Sequence, residues 1–244
     1  MINRKRIPTE FMFMRQEGIV PHNVLDSLNI HIIGAGGIGS PTALILAKMG
    51  CPHITVYDGD RVMPHNLPST FYPLKAIKVP KVKALRKVIK EYTGTKINYE
   101  VITFIAKADL FYRLERENNV VVISAVDNME TRKLIWDSSK DAEVRLYVEG
   151  RMGGTQGRIY TVDPSDGPKE LEKYETTLYS EEEVLEVPCT AKSIIFNTTY
   201  IGSIIANQIR LWATKQSYHR DILFDLNNMN IIAKNKKTVE KIEV

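Results

Sequence analysis

A glycine-rich segment between two short apolar runs constrains the fold of this chain more than any other feature. The segment, GAGGIG at residues 34–39, follows the β-branched run at residues 30–33. A helical segment at about residues 41–49 comes next, and then a second apolar run at residues 54–57 that ends on Asp58. Strand, glycine turn, helix, strand and acidic residue in this order are typical of a nucleotide-binding βαβ unit.

The glycines of this turn have separate physical roles. Gly34 permits the tight turn, Gly36 lets backbone N–H groups approach a phosphate, and Gly39 lets the helix pack close to the strand. Gly37 belongs to the same turn. The positive end of the helix dipole then faces the phosphates, and Asp58 is placed to accept hydrogen bonds from ribose hydroxyls. Because NAD, FAD and ATP all bind at such turns, the segment predicts a nucleotide site without selecting the nucleotide.

Composition and charge are those of an ordinary globular protein. The 244 residues suit one large domain or one domain with appendages, and the formal net charge of +4 is too mild to indicate a nucleic-acid partner. We find no apolar run long enough to span a membrane and no signal-peptide core, so no membrane association is expected. The two cysteines, Cys51 and Cys189, indicate neither a four-cysteine zinc site nor a disulfide framework. A cytoplasmic location is therefore expected.

A second strand tip carries a carboxylate. Residues 120–123 form a continuous apolar run, which indicates a buried parallel strand, and Asp127 and Asn128 follow it. A helix is predicted at residues 129–139. Ligands of open α/β sheets bind at the carboxyl ends of the strands, so Asp127 is expected near the glycine turn.

A proline-rich loop at residues 59–73 leaves the strand that ends on Asp58, and it contains Asp60 and Asn66. A helix is predicted to begin at Pro80 and Lys81 and to end near residue 92, because proline suits the first helical turn. The loop and the start of this helix are expected at the same edge of the sheet as the glycine turn.

Apolar periodicity predicts the remaining elements. We expect strands at residues 97–104, 144–148, 158–162 and 223–232, helices at 108–115 and 194–213, a turn at 151–157, and a long polar surface loop at 163–188.

With these residues in place, the chain resembles the ThiF/MoeB family, whose adenylating domain is shared with ubiquitin-activating enzymes. The resemblance covers roughly residues 11–232. It rests on the glycine turn, Asp58-x-Asp60, Asn66-Leu67, Pro80-Lys81, and Asp127-Asn128 with Arg132.

The resemblance implies an α/β fold with a Rossmann-like, doubly wound, mostly parallel sheet and additional antiparallel strands at the C-terminal side. The expected organisation is an N-terminal arm at residues 1–28, an ATP-binding adenylation domain at 29–232 with a crossover loop at 163–188, and a basic tail at 233–244.

The resemblance also implies an activity, namely ATP-dependent adenylation of the C-terminal carboxylate of a small ubiquitin-like or sulfur-carrier protein. Lys81 and Arg15 would supply positive charge. Arg15, followed by Gln16, resembles a family arginine that reaches the ATP γ-phosphate across a dimer interface, which predicts a homodimer. Asp127 would bind Mg²⁺, since hard divalent cations prefer carboxylate oxygen; its alternative role is to cap the following helix.

The resemblance further assigns residues to the nucleotide and to a covalent step. The nucleotide-binding set would be Gly34, Gly36, Gly37, Gly39, Asp58, Asp60, Asn66, Lys81 and Asn128. Cys189 falls where many members place a reactive cysteine, and it would accept the activated carboxylate as a thioester. The alternative for Cys189 is simple packing at the start of a buried helix.

The chain departs from the family pattern at residues 69–70, where an Arg-Gln pair is expected and Ser-Thr is present. Lys75, Lys78 or Arg61 are candidates to replace the missing arginine. The paired CxxC zinc motifs of many members are also absent. Two other functions stay open: a non-catalytic module that binds a ubiquitin-like partner, and an NAD-dependent oxidoreductase built on the same βαβ unit.

Overall fold

Parallel and antiparallel strands share one sheet in the part of the chain that the computed structural model describes, residues 12–179, 193–234 and 239–242. The strand order is β3-β2-β1-β4-β5-β6-β7-β8-β9, with parallel pairing from β3 to β5 and antiparallel pairing from β5 to β9. The strands are β1 Asn29–Ile33, β2 Ile54–Tyr57, β3 Asn98–Glu100, β4 Val120–Ser124, β5 Leu146–Gly153, β6 Gln156–Val162, β7 Asp221–Asp225, β8 Asn230–Lys234 and β9 Val239–Ile242.

The strand order reverses between β1 and β4, which makes their carboxyl ends a topological switch point. Ile33, the last residue of β1, is in register with Tyr57 of β2 and with Ser124 of β4. Ligands of open α/β sheets bind in the crevice outside such strand ends. The doubly wound fold predicted from the sequence is confirmed, and the antiparallel strands lie on the C-terminal side as expected.

Helices cover both faces of the sheet. They are α1 His22–Asp26, α2 Gly39–Lys48, α3 Lys81–Thr93, α4 Lys107–Leu114, α5 Met129–Asp141, α6 Pro168–Glu175 and α7 Ile195–Ala213, with 3₁₀ turns at Pro64–Ser69, Leu74–Ala76 and Pro164–Asp166. α2, α3 and α7 bury apolar side chains on one face, and α4, α5 and α6 on the other. Each fully buried Leu, Ile or Val contributes about 1.5–3 kcal/mol. Within the described ranges, no helix combines the length and apolarity needed to cross a membrane.

The helix predicted to start at Pro80 and Lys81 is confirmed as α3. Its buried residues include Leu85 and Ile89, which share one face at helical spacing. Gly94 ends the helix in a left-handed conformation with φ of 77°, which glycine adopts without steric strain. The N-terminus of α3 lies at the carboxyl edge of the sheet, because the backbone N–H of Lys81 donates to the carbonyl of Asp60 (2.8 Å), just after the end of β2.

Several predicted boundaries are wrong. The strand predicted at residues 97–104 forms only as β3, because its neighbour β2 ends at Tyr57 and offers no partner beyond Glu100. The strand predicted at 144–148 continues to Gly153, through residues for which a turn was predicted, because antiparallel pairing with β6 satisfies its backbone groups.

The single strand predicted at residues 223–232 is instead the hairpin of β7 and β8. The carboxylate of Asp225 accepts a hydrogen bond from the backbone N–H of Asn227, and Met229 has a positive φ of 53°, so the chain reverses here. Within the predicted loop at 163–188, the structure forms α6, whose Pro168 suits a first helical turn. β9 lies within the residues for which a basic tail was predicted.

His31 is a buried titratable group in the central strand. Its Nδ1 lies 2.9 Å from the Tyr57 hydroxyl and its Nε2 lies 3.3 Å from a carboxylate oxygen of Glu117. Burial lowers the pKa of His31 below its usual value of 6.5, and the charges of Glu117 and Glu100 only partly oppose this shift. His31 is therefore kept neutral in the folded protein at a pH where the unfolded chain takes up a proton.

We predict that His31 makes folding stability fall as the pH drops below about 6.5. Because the folded pKa is lowered, the unfolded state binds more protons in this window, and the free energy of unfolding decreases with falling pH. His31→Gln should reduce that slope by up to about 1.4 kcal/mol per pH unit in urea unfolding between pH 7.5 and 5.5. His53→Gln, at an exposed position, is the control. An unchanged slope in His31→Gln would contradict the assignment.

Candidate nucleotide-binding site

The glycine turn is closed by contacts that leave no room for side chains at two positions. Gly34 has φ of 98°, and a Cβ atom there would lie 2.5 Å from the carbonyl oxygen of Ala125, at the end of β4. A Cβ atom at Gly39 would lie 1.8 Å from the carbonyl oxygen of Gly34. In contrast, a Cβ at Gly36 would meet no atom of the described residues within 4 Å. The turn is thus tightly packed on the protein side and open at Gly36, as a phosphate cradle requires.

Asp58 connects the glycine turn to the loop that follows β2. One carboxylate oxygen accepts a hydrogen bond from the backbone N–H of Ala35 (2.7 Å), and the other accepts from the backbone N–H of Asp60 (2.7 Å). The Asp58 side chain is 10% exposed, so its position is set by the protein. This carboxylate lies directly beside the turn, where the sequence predicted a ribose acceptor.

Lys81 is held between two carboxylates at the start of α3. Its ammonium donates to Asp60 at 2.7 Å and lies 3.7 Å from Asp58. The Lys81 side chain is 11% exposed and that of Asp60 is 72% exposed. Because a solvated carboxylate is a weak partner, a phosphate oxygen can replace Asp60 as the acceptor for Lys81 at small cost. The predicted residues Asp58, Asp60 and Lys81 are therefore brought together beside the glycine turn.

Asp127 lies on the loop between β4 and α5, next to the glycine turn because Ala125 contacts Gly34. The cap of α5 is provided by Asn128, whose side-chain oxygen accepts the backbone N–H of Thr131 at 2.8 Å. The alternative role of Asp127 as helix cap is thus filled by its neighbour. Asp127 is exposed, and among the described residues its carboxylate has no ion-pair partner. It is available to bind a cation.

Asp127 does not belong to a cluster of potential metal ligands among the described residues. These contain no group of three or more His, Cys, Asp or Glu side chains that could hold a metal ion. Mg²⁺ commonly binds through one or two carboxylates together with substrate phosphates and water. A single carboxylate next to a phosphate cradle fits that mode of binding.

The proline-rich loop after β2 is fixed by hydrogen bonds of its own residues. The side-chain oxygen of Asn66 accepts the backbone N–H of Met63 (2.8 Å), which leaves its amide NH₂ as the group available to donate. Tyr72, which the sequence patterns missed, donates its hydroxyl to the carbonyl of Ala35 in the glycine turn (2.6 Å). Burial, with the nearby charge of Asp58, raises the pKa of Tyr72 far above its usual value, so the hydroxyl stays protonated.

Ser69 and Thr70, which stand where an Arg-Gln pair is expected, are buried and make hydrogen bonds within the protein. The carbonyl of Ser69 accepts a hydrogen bond from Thr198 of α7 (3.0 Å), and the hydroxyl of Thr70 donates to the carbonyl of Asn66 (2.8 Å). Of the candidate replacements, Arg61 donates to the carbonyl of Lys78 (2.8 Å). The backbone of Lys78 also donates to the carbonyl of Val62 (2.8 Å), so both residues take part in holding the loop.

Two predicted residues lie away from this site or outside the described ranges. Gln16, next to Arg15, donates to the carbonyl of Met49 (2.6 Å), at the far end of α2 from the glycine turn. Since α2 has 10 residues and is therefore about 15 Å long, the Gln16 side chain is held about one helix length from the glycine turn of its own chain. Cys189 lies outside the described residues. Cys51 is buried, and burial raises the pKa of its thiol to about 12.

Relatives of similar sequence are activating enzymes and adenylyltransferases by name. A probable molybdopterin-synthase adenylyltransferase of Porphyra purpurea is 27% identical over 59% of this chain and 37% of its own length. The ubiquitin-like modifier-activating enzyme 5 of Aedes aegypti is 25% identical over 65% of this chain and 43% of its own length. The adenylyltransferase and sulfurtransferase MOCS3-1 of Zea mays is 30% identical over 62% of this chain and 32% of its own length. The matched part of this chain thus spans less than half of each relative.

Solved structures share the fold. PaaA superposes with a TM-score of 0.74 at 15% identity, over 96% of this chain and 85% of that chain. Escherichia coli MccB with ATP superposes with a TM-score of 0.74 at 14% identity, over 88% of this chain and 65% of that chain. The ThiF family profile matches residues 10–243. The chain therefore belongs to the ThiF family.

Proposed function

We propose that this protein uses ATP and Mg²⁺ to adenylate the C-terminal carboxylate of a small ubiquitin-like or sulfur-carrier protein. The observation that supports this most strongly is the convergence of the open glycine turn, the Asp58–Lys81 pair and the uncommitted Asp127 at one edge of the sheet. The names of the relatives, adenylyltransferase and ubiquitin-like modifier-activating enzyme, agree with the proposal. So does ATP in the structure of MccB.

The proposed reaction needs little from the protein beyond positioning and charge neutralisation. A carboxylate oxygen of the carrier attacks the α-phosphorus of ATP, the bond from that phosphorus to the β-bridging oxygen breaks, and pyrophosphate leaves with the electron pair. The carboxylate is already ionised at neutral pH, so no base is required. Lys81 and the backbone amide of Gly36 would contact phosphates, Asp58 the ribose, and Asp127 the Mg²⁺ ion that offsets phosphate charge.

A second candidate, a non-catalytic module that binds a ubiquitin-like partner, is favoured by the buried Ser69 and Thr70. Their hydrogen bonds stabilise the loop, and the expected phosphate-binding arginine is missing. ATP–pyrophosphate exchange separates the two candidates. Exchange that depends on a carrier ending in Gly-Gly supports adenylation, whereas ATP binding without exchange across a panel of such carriers supports the module.

We predict that Asp127→Ala removes the Mg²⁺-dependent gain in ATP affinity, because the only protein carboxylate assigned to the metal is lost. Calorimetric titration with ATP should show a loss of about tenfold or more, or ~1.4 kcal/mol, in Mg²⁺ and little change in EDTA. Glu91→Ala is the matched control, since Glu91 is exposed in the last turn of α3, away from the site. Unchanged affinity of Asp127→Ala in Mg²⁺ would show that the metal site is wrongly placed.

We predict a homodimer in which Arg15 completes the site of the partner, because Gln16, next to Arg15, is bound to Met49 at the far end of α2 from the glycine turn of its own chain. Arg15→Ala and Asp127→Ala should each abolish exchange, and a mixture of the two variants should recover part of it, since mixed dimers contain one intact site. Lys83→Ala, at an exposed position of α3, is the control and should keep the ATP–pyrophosphate exchange activity of wild type without mixing. A fully active monomer in sedimentation would exclude this arrangement.

We predict that the thiolate of Cys189 attacks the carbonyl carbon of the acyl-adenylate, so that the acyl–phosphate C–O bond breaks, AMP leaves, and the carrier remains bound to Cys189 as a thioester. The other cysteine, Cys51, stays a thiol at neutral pH because burial raises its pKa to about 12. Cys189→Ser should leave ATP–pyrophosphate exchange intact but remove any reductant-sensitive adduct with a carrier that supports exchange, whereas Cys51→Ala should retain the adduct. Absence of an adduct in the wild-type protein, despite exchange with that carrier, would make Cys189 structural. A cytoplasmic location, where thiols stay reduced, is part of this proposal.

A further inference from the structure

Glu149 is a fully buried carboxylate at the carboxyl edge of the sheet. It lies on β5 in register with Ser124, the last residue of β4, and has 0% exposure. A buried carboxylate is strongly disfavoured unless it is paired and hydrogen bonded. The sequence carries one visible signal for it, a glutamate directly after the predicted strand at residues 144–148.

Two arginines and a tyrosine converge on this carboxylate. Nε of Arg132 lies 2.6 Å from Oε1 of Glu149, and Nε of Arg151 donates to the same oxygen. The hydroxyl of Tyr174 donates to Oε2. Burial, together with the nearby Tyr147 and Glu149, raises the pKa of Tyr174 far above its usual value, so it remains a donor. Two guanidinium groups thus depend on one negative charge in the interior.

The first arginine connects Glu149 to the loop of Asp127. Nη2 of Arg132 donates to the carbonyl of Val126 at 2.7 Å, one residue before Asp127. Arg132 is 6% exposed, its Nε meets Glu149 as an ion pair without an aligned hydrogen bond, and its Nη1 donates to the sulfur of Met129 at 3.6 Å, so the guanidinium has little freedom. The carboxylate of Glu149 therefore fixes the guanidinium, and the guanidinium fixes the backbone that presents Asp127.

The second arginine connects the same carboxylate to the segment that follows α6. Arg151 donates to the carbonyl of Thr177 at 3.0 Å and to its hydroxyl at 2.9 Å. Burial alone would lower the pKa of Arg151, but the hydrogen bond and charge of Glu149 raise it overall. Glu149 consequently joins two segments that come from distant parts of the chain.

We infer that Glu149 is a positioning residue for the metal–nucleotide site, acting through Arg132 on the loop of Asp127. Buried ion pairs contribute little net stability compared with apolar packing, so stability alone does not explain this arrangement. Partners behind a metal ligand typically change metal affinity by about 10–100-fold when mutated. This inference rests on the proposed use of ATP and Mg²⁺ and adds a residue that the family motifs in the sequence do not include.

The test uses the full chain and compares Glu149→Gln with wild type. Glutamine keeps the shape but removes the charge, so Arg132 should release Val126. The Mg²⁺ concentration for half-maximal ATP binding should rise about tenfold. ATP binding in EDTA should stay within about twofold. Hydrogen exchange should accelerate at residues 126–132, where the amides of Thr131 and Arg132 bond to Asn128.

Two further variants separate positioning from general destabilisation. Arg132→Lys keeps a positive charge near Glu149 but cannot bridge to Val126, so it should reproduce both changes even if Glu149→Gln fails to fold. Asp221→Asn, on β7, is the control, because it removes another carboxylate that binds an arginine, namely Arg158 of β6, at 2.7 Å. This variant should lower the melting temperature without changing the Mg²⁺ dependence of ATP binding or the rate of hydrogen exchange at residues 126–132.

The outcomes distinguish this inference from the proposed function. The positioning role is wrong if Glu149→Gln and Arg132→Lys bind ATP with the Mg²⁺ dependence of wild type. It is also wrong if hydrogen exchange at residues 126–132 is unchanged in these variants, and the ion pairs are then only structural. If wild type binds no ATP in Mg²⁺ or in EDTA, the proposed function fails. The claim that Glu149 supports Mg²⁺ binding then fails with it, even if hydrogen exchange shows that Glu149 holds the loop of Asp127 in place.

Discussion

The close packing of Gly39 against the carbonyl of Gly34 is the contact on which the site depends. A Cβ atom at residue 39 would lie 1.8 Å from that oxygen, so only glycine lets α2 begin directly at the end of β1. The same turn rests on the end of β4, because a Cβ at Gly34 would lie 2.5 Å from the carbonyl of Ala125. These contacts bring the loop of Asp127 to the glycine turn. A side chain at either glycine would separate the glycine turn from the loop that carries Asp127.

The two carboxylates near Lys81, at the carboxyl edge of the sheet, differ in how firmly the protein holds them. Asp58 is held by the backbone amides of Ala35 and Asp60, and it is almost buried. The Asp60 carboxylate that pairs with Lys81 is mostly exposed, which makes that pair exchangeable. Lys81 is thus oriented by two carboxylates: Asp58, which is fixed and lies nearby, and Asp60, which is in contact and can be replaced. An anionic ligand can take the place of Asp60 without moving the scaffold.

The sequence predicts the parallel half of this fold well because local pattern and tertiary structure agree there. The βαβ unit around the glycine turn and α3 follow directly from glycine, proline and apolar spacing. The C-terminal strands were misplaced because pairing partners, rather than local propensity, decide where they end: β5 extends to Gly153 only because β6 pairs with it. The turn between β7 and β8 depends on a hydrogen bond to the Asp225 side chain, and apolar periodicity does not predict such a contact.

The same distinction applies to the site. Glycines and carboxylates at strand tips are visible in the sequence because their chemistry follows from strand polarity. Tyr72 and Glu149 act through contacts 37 residues and 25 residues away, at Ala35 and Tyr174, and no local pattern predicts such partners. A tyrosine in a loop and a glutamate in a strand acquire their roles only when the chain folds. The three-dimensional structure therefore adds the residues that hold this edge of the sheet in place, while the sequence predicts the residues that we propose to face the nucleotide.

The most direct test of this account is a crystal structure of the protein with a non-hydrolysable ATP analogue and Mg²⁺. The account predicts phosphate oxygens within hydrogen-bond distance of the Gly36 amide and of Lys81, with Asp60 displaced from the ammonium and the metal on Asp127. A nucleotide bound elsewhere, or bound here with Lys81 still paired to Asp60 and no metal at Asp127, would contradict it.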